Sequence, residues 1–272
     1  MELGKIGHQI KISTVEIVKD AENAVEGTIE IVRKTIVEGT HGVKDVTSGV
    51  AGLTLDAVTG SIHGGREIGG ELGGLVKGTV VGVIRAVGEV SIVTAGVMGD
   101  TVHAAIKGSA HAGADLQQSA RAVAEGAIST TGTVGVTLEN GAHHIGHGAM
   151  RGTKDVGGDY AAVARSTMEG AIVGTHQMGG DVMVAINLTS QGLMRGAADL
   201  GVDIGLVARG AVEGAIQGAK ETGVNLEAAA SAAANGAVEA SQSYGKDAMT
   251  SVIRSVSGTI VGVKVTLARG AA

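Results

Sequence analysis

The sequence predicts an all-α protein: a long, straight to slightly right-handed helix built on an eleven-residue (hendecad) repeat with higher periods of 22 and 44 residues, packed into a multi-helix homo-oligomer. Three observations predict it. The 272-residue chain has no Phe, Trp, Pro or Cys and only two Tyr, against 47 Gly. The tetrapeptide Glu-Gly-Ala-Ile returns at Glu125, Glu169 and Glu213, 44 residues apart each time. Apolar residues recur in elevens, which is three helical turns of about 3.67 residues, a period that gives a straight or right-handed course instead of the left-handed supercoil of heptads.

Composition sets the limits. A globular core of this size normally leans on large aromatics, so their absence requires an unusual packing. With 44% hydrophobic and 18% charged residues, the chain is too apolar and too weakly charged to stay disordered. A net charge of −6 gives no basic footprint, and two tyrosines offer almost nothing for bases to stack on, which excludes nucleic acid as a partner. Without cysteine there is no disulfide framework and no thiolate metal site, and either redox compartment is compatible. The start of the chain lacks a charged-then-apolar signal pattern, and the longest charge-free stretches, 126–138 and 182–194, are too short for an ordinary membrane span.

Along the chain, residues 1–14 read as an N-terminal segment, 15–268 as one continuous hendecad-repeat helical region, and 269–272 as a C-terminal tail. Cut into elevens from Gly4, the sequence aligns as HGAMRGTKDVG (147–157), EGAIVGTHQMG (169–179), QGLMRGAADLG (191–201) and EGAIQGAKETG (213–223). Rows with Gly at the second position alternate with rows carrying Asp there: Asp159, Asp181 and Asp203. Earlier rows are looser, but Gly60-Ser-Ile62-His-Gly64 keeps the form. A β-solenoid is the rival, since Gly, Val and Thr are abundant. Against it, 113–125 and 227–234 read as helix, strict alternation is scarce, and Asn-Gly occurs only at Asn140 and Asn235.

On a helical wheel the eighth, first, fifth and ninth positions form a polar arc holding Lys154, Arg165, Glu169, Arg195, Lys220, Glu221 and most histidines. The opposite arc is filled by Ala, Val, Thr, Leu, Ile and Met, and it is wider than a two-stranded seam. Glycines at its edge spell Gly-x-x-x-Gly at 148/152, 170/174, 192/196, 214/218 and 258/262. Small residues four apart let helix backbones approach closely. Gly148, Met150, Gly152, Gly170, Ile172, Gly174, Gly192, Met194, Gly196, Gly214, Ile216 and Gly218 are therefore the expected self-association residues. Two small-residue edges imply two neighbours per helix, and contacts between different surfaces propagate into a ring, tube or sheet. At about 1 kcal/mol per glycine relative to Ala, an isolated helix falls tens of kcal/mol short, so helicity is expected to require association. As a rod the chain spans on the order of 400 Å at 1.5 Å per residue, with no proline to stop it. Hairpins at residues 64–74 or at Asn140-Gly141 are the alternative.

These rows resemble, as a class, glycine- and alanine-rich hendecad-repeat helical coiled-coil and tube-forming proteins, over nearly the whole chain. The resemblance implies a structural role with copies of itself as partners. A membrane- or lipid-surface-associated amphipathic helical protein is the second expectation, because a broad apolar arc suits an interface.

Nothing in the sequence reads as a catalytic, cofactor-binding or metal site. His143 and His147 stand one turn apart, with His144 beside them, on the expected water face, without an accompanying carboxylate motif. Residues 73–79 and 244–249 lack phosphate-loop spacing. Asn187-Leu188-Thr189 matches a glycosylation acceptor as chance allows. Asp115, Asp159, Asp181 and Asp203 read as the boundary of the polar arc. No nucleophile stands beside a base, so no small-molecule substrate is expected.

Overall fold

The computed structural model describes residues 3–17, 24–39 and 49–268. The protein is all-α, with twelve α-helices among these residues: α1 (Lys5–Ile17), α2 (Ala24–Gly39), α3 (Val50–Ile68), α4 (Leu72–Val90), α5 (Ala95–His111), α6 (Leu116–Thr130), α7 (Leu138–Val156), α8 (Tyr160–Gln177), α9 (Val182–Asp199), α10 (Ile204–Thr222), α11 (Leu226–Ser241) and α12 (Lys246–Val256). A short hairpin, β1 (Gly258–Ile260) and β2 (Val263–Val265), follows them.

The single rod expected over 15–268 is instead a folded-back stack, and helix starts at Lys5, inside the segment set apart as 1–14. The tail 269–272 lies outside the described residues. What ends most of the helices is glycine. Gly113, Gly135, Gly157, Gly179, Gly201, Gly223 and Gly245 fall every 22 residues, and all have positive φ, between 66° and 97°. Only glycine adopts this left-handed conformation without a steric cost, and it reverses the chain at a helix C-terminus. After Gly157 the Gly158 N–H donates back into the helix to Thr153 O, and after Gly179 the Gly180 N–H donates to Thr175 O.

What restarts α6, α8, α9 and α10 is the aspartate two residues later. The Asp159 carboxylate accepts from the N–H of Ala161 and Ala162 at 2.9 and 3.1 Å, and Asp181 accepts from Met183 and Val184 at the same distances. Asp115 and Asp203 cap α6 and α10 in the same way, as do Thr137 and Asn225 for α7 and α11. The repeated aspartates are thus helix N-caps, not the edge of a polar arc, and they satisfy amide groups that have no intrahelical partner. Two hendecads make one helix and its turn, and 44 residues make one helical hairpin. Of the two joints offered by the sequence, the one near residues 64–74 is a turn, at Gly69. Asn140-Gly141 lies inside α7.

Turns of three or four residues, seven between α6 and α7, put consecutive helices from α3 to α12 antiparallel in different layers. Odd-numbered helices pack in succession from α1 to α11, and even-numbered ones from α2 to α12. Each helix therefore touches the helix two before it, in parallel, and its hairpin partner across the stack. This is a two-layer α-solenoid, in which each repeat covers its neighbour's apolar face. Between the layers lie Ile62, Ile84, Met98, Ile106, Ile128, Ile145, Met150, Met168 and Ile172, all with no exposed surface. Buried threonines turn their hydroxyls back on the helix, as Thr101 does to Val97 O and Thr153 to Ala149 O.

The end of the chain departs from the repeat. Gly258 and Gly262 sit in the hairpin with φ of 90° and 79°, so the fifth Gly-x-x-x-Gly pair is not a helix seam. The reason is local: Thr259, Ile260, Val263, Val265 and Thr266 are β-branched, which favours strand over helix. The segment after β2 lies on α11, where the Thr266 N–H donates to Ser231 Oγ at 2.9 Å and the Ala268 N–H to Asn235 Oδ1 at 2.8 Å. Ser231 and Asn235 stand 44 residues beyond Asn187 and Gln191. Asn187 carries a glycine of the next helix on its carbonyl. The hairpin therefore occupies the place of a next odd-layer helix and gives that end a polar cover.

Candidate functional site: glycine seams and charged outer faces

The twelve residues expected to join one copy to another are all buried inside the chain. Each glycine seats on the helix two before it, on its backbone in every case but Gly218, which meets the Ile172 side chain. A methyl group on Gly152 would come within 2.9 Å of His103 O, one on Gly174 within 2.7 Å of Glu125 O, and one on Gly196 within 2.6 Å of Met150 Cβ. Gly148, Gly170, Gly192 and Gly214 stand against the backbone carbonyls of Gly99, Arg121, His143 and Arg165, closer still. In each of these last four pairs the contact is 49 positions back in sequence. Met150, Ile172, Met194 and Ile216 fill the space between layers, none more than 6% exposed. The seam geometry read from the sequence is present, and it acts between helices of one chain.

With the apolar arcs turned inward, the outer faces carry charge. On the even layer, basic residues recur every 44 positions, at Arg33, Lys77, Arg121, Arg165 and Arg209. Acidic residues lie one turn further on at Glu125, Glu169 and Glu213. Ion pairs knit neighbouring helices. Lys77 Nζ reaches Glu125 at 2.6 Å, Arg121 reaches Glu221 at 2.6 Å, and Arg33 bridges Glu30 and Glu89 at 2.6 and 2.8 Å. The basic row was legible in the sequence as a 44-residue spacing, hidden there beneath the stronger glycine pattern. Burial raises the Glu169 carboxyl above its ordinary pKa, against the pull of Arg121 and Arg165.

On the odd layer, His103 and His147 make the same contact one repeat apart, to Asp155 at 3.0 Å and Asp199 at 3.1 Å. Lys107 also binds Asp155, and hydrogen bonds from Lys107 and His103 hold that carboxyl below its usual range. His143, His144 and His147, expected on an open water face, are half-buried. They line a cleft of about 300 Å³ with Gly96, Gly99, Asp100, Arg151 and Arg195. Burial, and then the positive neighbours His144, Arg195 and His147, push the His143 imidazole down to about 4. No group of three or more potential metal-ligating side chains comes together among the described residues. No helix among them is long and apolar enough to cross a membrane. Comparison with protein-family models and with curated proteins returns no match.

Proposed function

We propose that the protein is a non-enzymatic structural element that assembles with copies of itself, side by side, through the charged face of its even layer. The observation that supports this reading is the pair of rows on that face, basic at Arg33, Lys77, Arg121, Arg165 and Arg209 and acidic at Glu125, Glu169 and Glu213. Both rows advance by one helix per repeat. Within one chain the rows already pair in part, as Lys77 does with Glu125 and Arg209 with Glu213, while the side chains of Arg165 and Arg209 stay 43% and 54% exposed. A second copy related by a two-fold axis meets these exposed arginines, and one contact in register places the rest in register. A single exposed ion pair contributes about 0–1 kcal/mol, so only repetition makes such a contact stable. Tubes, fibres or sheets of this protein would be assemblies of folded stacks, with the glycine seams holding each stack in shape.

The lipid-surface reading has less to stand on, because the apolar arc it relies on is buried between layers. Sedimentation velocity from low to high salt tests the proposal. Assembly should weaken as salt rises and vanish in an Arg121→Glu, Arg165→Glu, Arg209→Glu variant that keeps its helical signal. A chain that stays monomeric at low salt and at high concentration refutes the reading, and flotation with anionic liposomes would then favour the lipid surface.

A further inference from the structure

The cleft between α5, α7 and α9 departs from the repeat that builds everything around it. Positions 44 apart read Gly99, His143, Asn187 and Ser231, and beside them Asp100, His144, Leu188 and Ala232. Nothing in the stacking requires two histidines here, because the seam uses the backbone carbonyl of His143, on which Gly192 seats. Across the cleft, Gly96 and Gly99 carry no side chain, which leaves open the roughly 300 Å³ between the helices. Five of the eight lining residues are His or Arg, and Asp100 is the single lining carboxylate.

That carboxylate is already engaged. Asp100 accepts from Arg151 at 2.8 Å. Asp199, at the rim, receives His147 at 3.1 Å, while Arg195 stands 4.0 Å from it and is 61% exposed. Arg195 therefore keeps most of its donors for another acceptor. The first turn of α5 opens into the same space at Gly96, and a helix N-terminus favours negative charge.

We propose that this cleft binds an oxyanion, a phosphate or sulfate group, between Arg195, Arg151 and the histidine cluster at the first turn of α5. Arginine matches such groups with paired hydrogen bonds. The volume leaves room for a small organic part beyond the oxyanion. The unfavourable positive field at His143 agrees with this assignment, since a bound anion offsets it. The charged and titratable groups facing His143 are Asp100 from α5, His144, His147 and Arg151 from α7, and Arg195 and Asp199 from α9. An anion among them raises the His143 pKa, so binding takes up a proton and tightens as pH falls.

Histidine-ring NMR with sodium sulfate against sodium chloride at equal ionic strength tests it, because sulfate stays doubly charged through the whole His143 titration. Sulfate should raise the His143 pKa by about one unit or more, and Arg195→Ala should weaken sulfate binding about tenfold. His143→Asn, which places here the residue found one repeat later, assigns the resonance and should remove the part of the pH dependence that follows the His143 titration, leaving that of His144 and His147 and the fold intact. A second arm compares sulfate with glycerol 3-phosphate: tighter binding of the ester assigns a phosphorylated small molecule, and equal binding assigns the free oxyanion. Identical His143 titrations in sulfate and chloride, or unchanged sulfate binding by Arg195→Ala, would overturn the proposal.

Discussion

The two halves of the stack keep the same seam at different repeat lengths. From α6 onward the seam glycines meet backbone 49 positions earlier, as in 126/77, 148/99, 170/121 and 214/165. In α3, α4 and α5 the interval is 53, as in 60/7, 64/11, 78/25, 82/29 and 108/55. The difference is four residues, close to one helical turn of 3.6. An insertion of about one turn brings the glycine face back toward its neighbour, whereas an insertion of two would point it away. The irregular half thus tolerates sequence drift because the face, not the row length, is what the packing requires.

The turns differ as well. The regular half reverses at a left-handed glycine every 22 residues. Between α4 and α5, Ser91 stands 44 residues before Gly135, has φ of −157°, and leaves Ile92 80% exposed. There the joint is held by Thr94, whose Oγ1 accepts from the Val97 N–H at 3.3 Å.

The largest effect that separates seam from ornament is one substitution made at three glycines. Gly192→Ala in the regular half and Gly60→Ala in the irregular half both press a methyl group into a neighbouring backbone carbonyl. Each should destabilise by about 3 kcal/mol, the upper part of the overpacking range. Gly52→Ala, on α3 with nothing within 4 Å of the added carbon, should stabilise by about 0.5–1 kcal/mol through helix propensity. Urea unfolding of the three variants checks the signs. A cheap Gly60→Ala beside a costly Gly192→Ala would mean that the 53-residue interval does not preserve the seam.

Caps come next. Asp181→Ala removes an acceptor for two amides and should cost about 1 kcal/mol. Gly179→Ala, at φ of 71°, should cost about as much. Ser91→Gly in the irregular joint should bring no gain, because its extended backbone needs no glycine. Thermal melts of the three would show whether the regular turns are stabilising devices or mere connections.

Much of this was legible beforehand, and the part that was not has a physical reason. The helical period, the buried Met150, Ile172, Met194 and Ile216, and the close-approach glycines follow from spacing alone. Where the seams close does not, since Gly192 against His143 O looks the same locally whether the carbonyl belongs to this chain or another. The glycines at the eleventh position carried the missing information. Followed two residues later by Asp159, Asp181 or Asp203, the glycines at 157, 179 and 201 are stop-and-restart signals, and they end a helix as surely as proline. The histidine cleft was invisible for a different reason: it forms from three helices that are adjacent only after the chain has folded back.

The smallest effect belongs to the odd layer of the regular half, where His143 sits. Its folded pKa of about 4 lies below the ordinary histidine value of about 6.5. The unfolded chain therefore binds the proton first, and stability falls as pH drops from about 6.5 towards 4. Solvent screening of the half-buried ring limits the loss to on the order of 1 kcal/mol. His143→Asn should flatten this part of the pH–stability curve, and an unchanged slope would assign it to other groups.

The central claim is that the glycine seams close within one chain, so that a single copy is a complete helical stack. Far-ultraviolet circular dichroism over a wide dilution series, with sedimentation run on the same samples at high salt, tests it most directly. The fully dissociated monomer should keep its entire helical signal, because Gly148, Gly170, Gly192 and Gly214 find their partners at Gly99, Arg121, His143 and Arg165 of the same chain. A helical signal that fades as the protein becomes monomeric would contradict it and return the seams to contacts between copies.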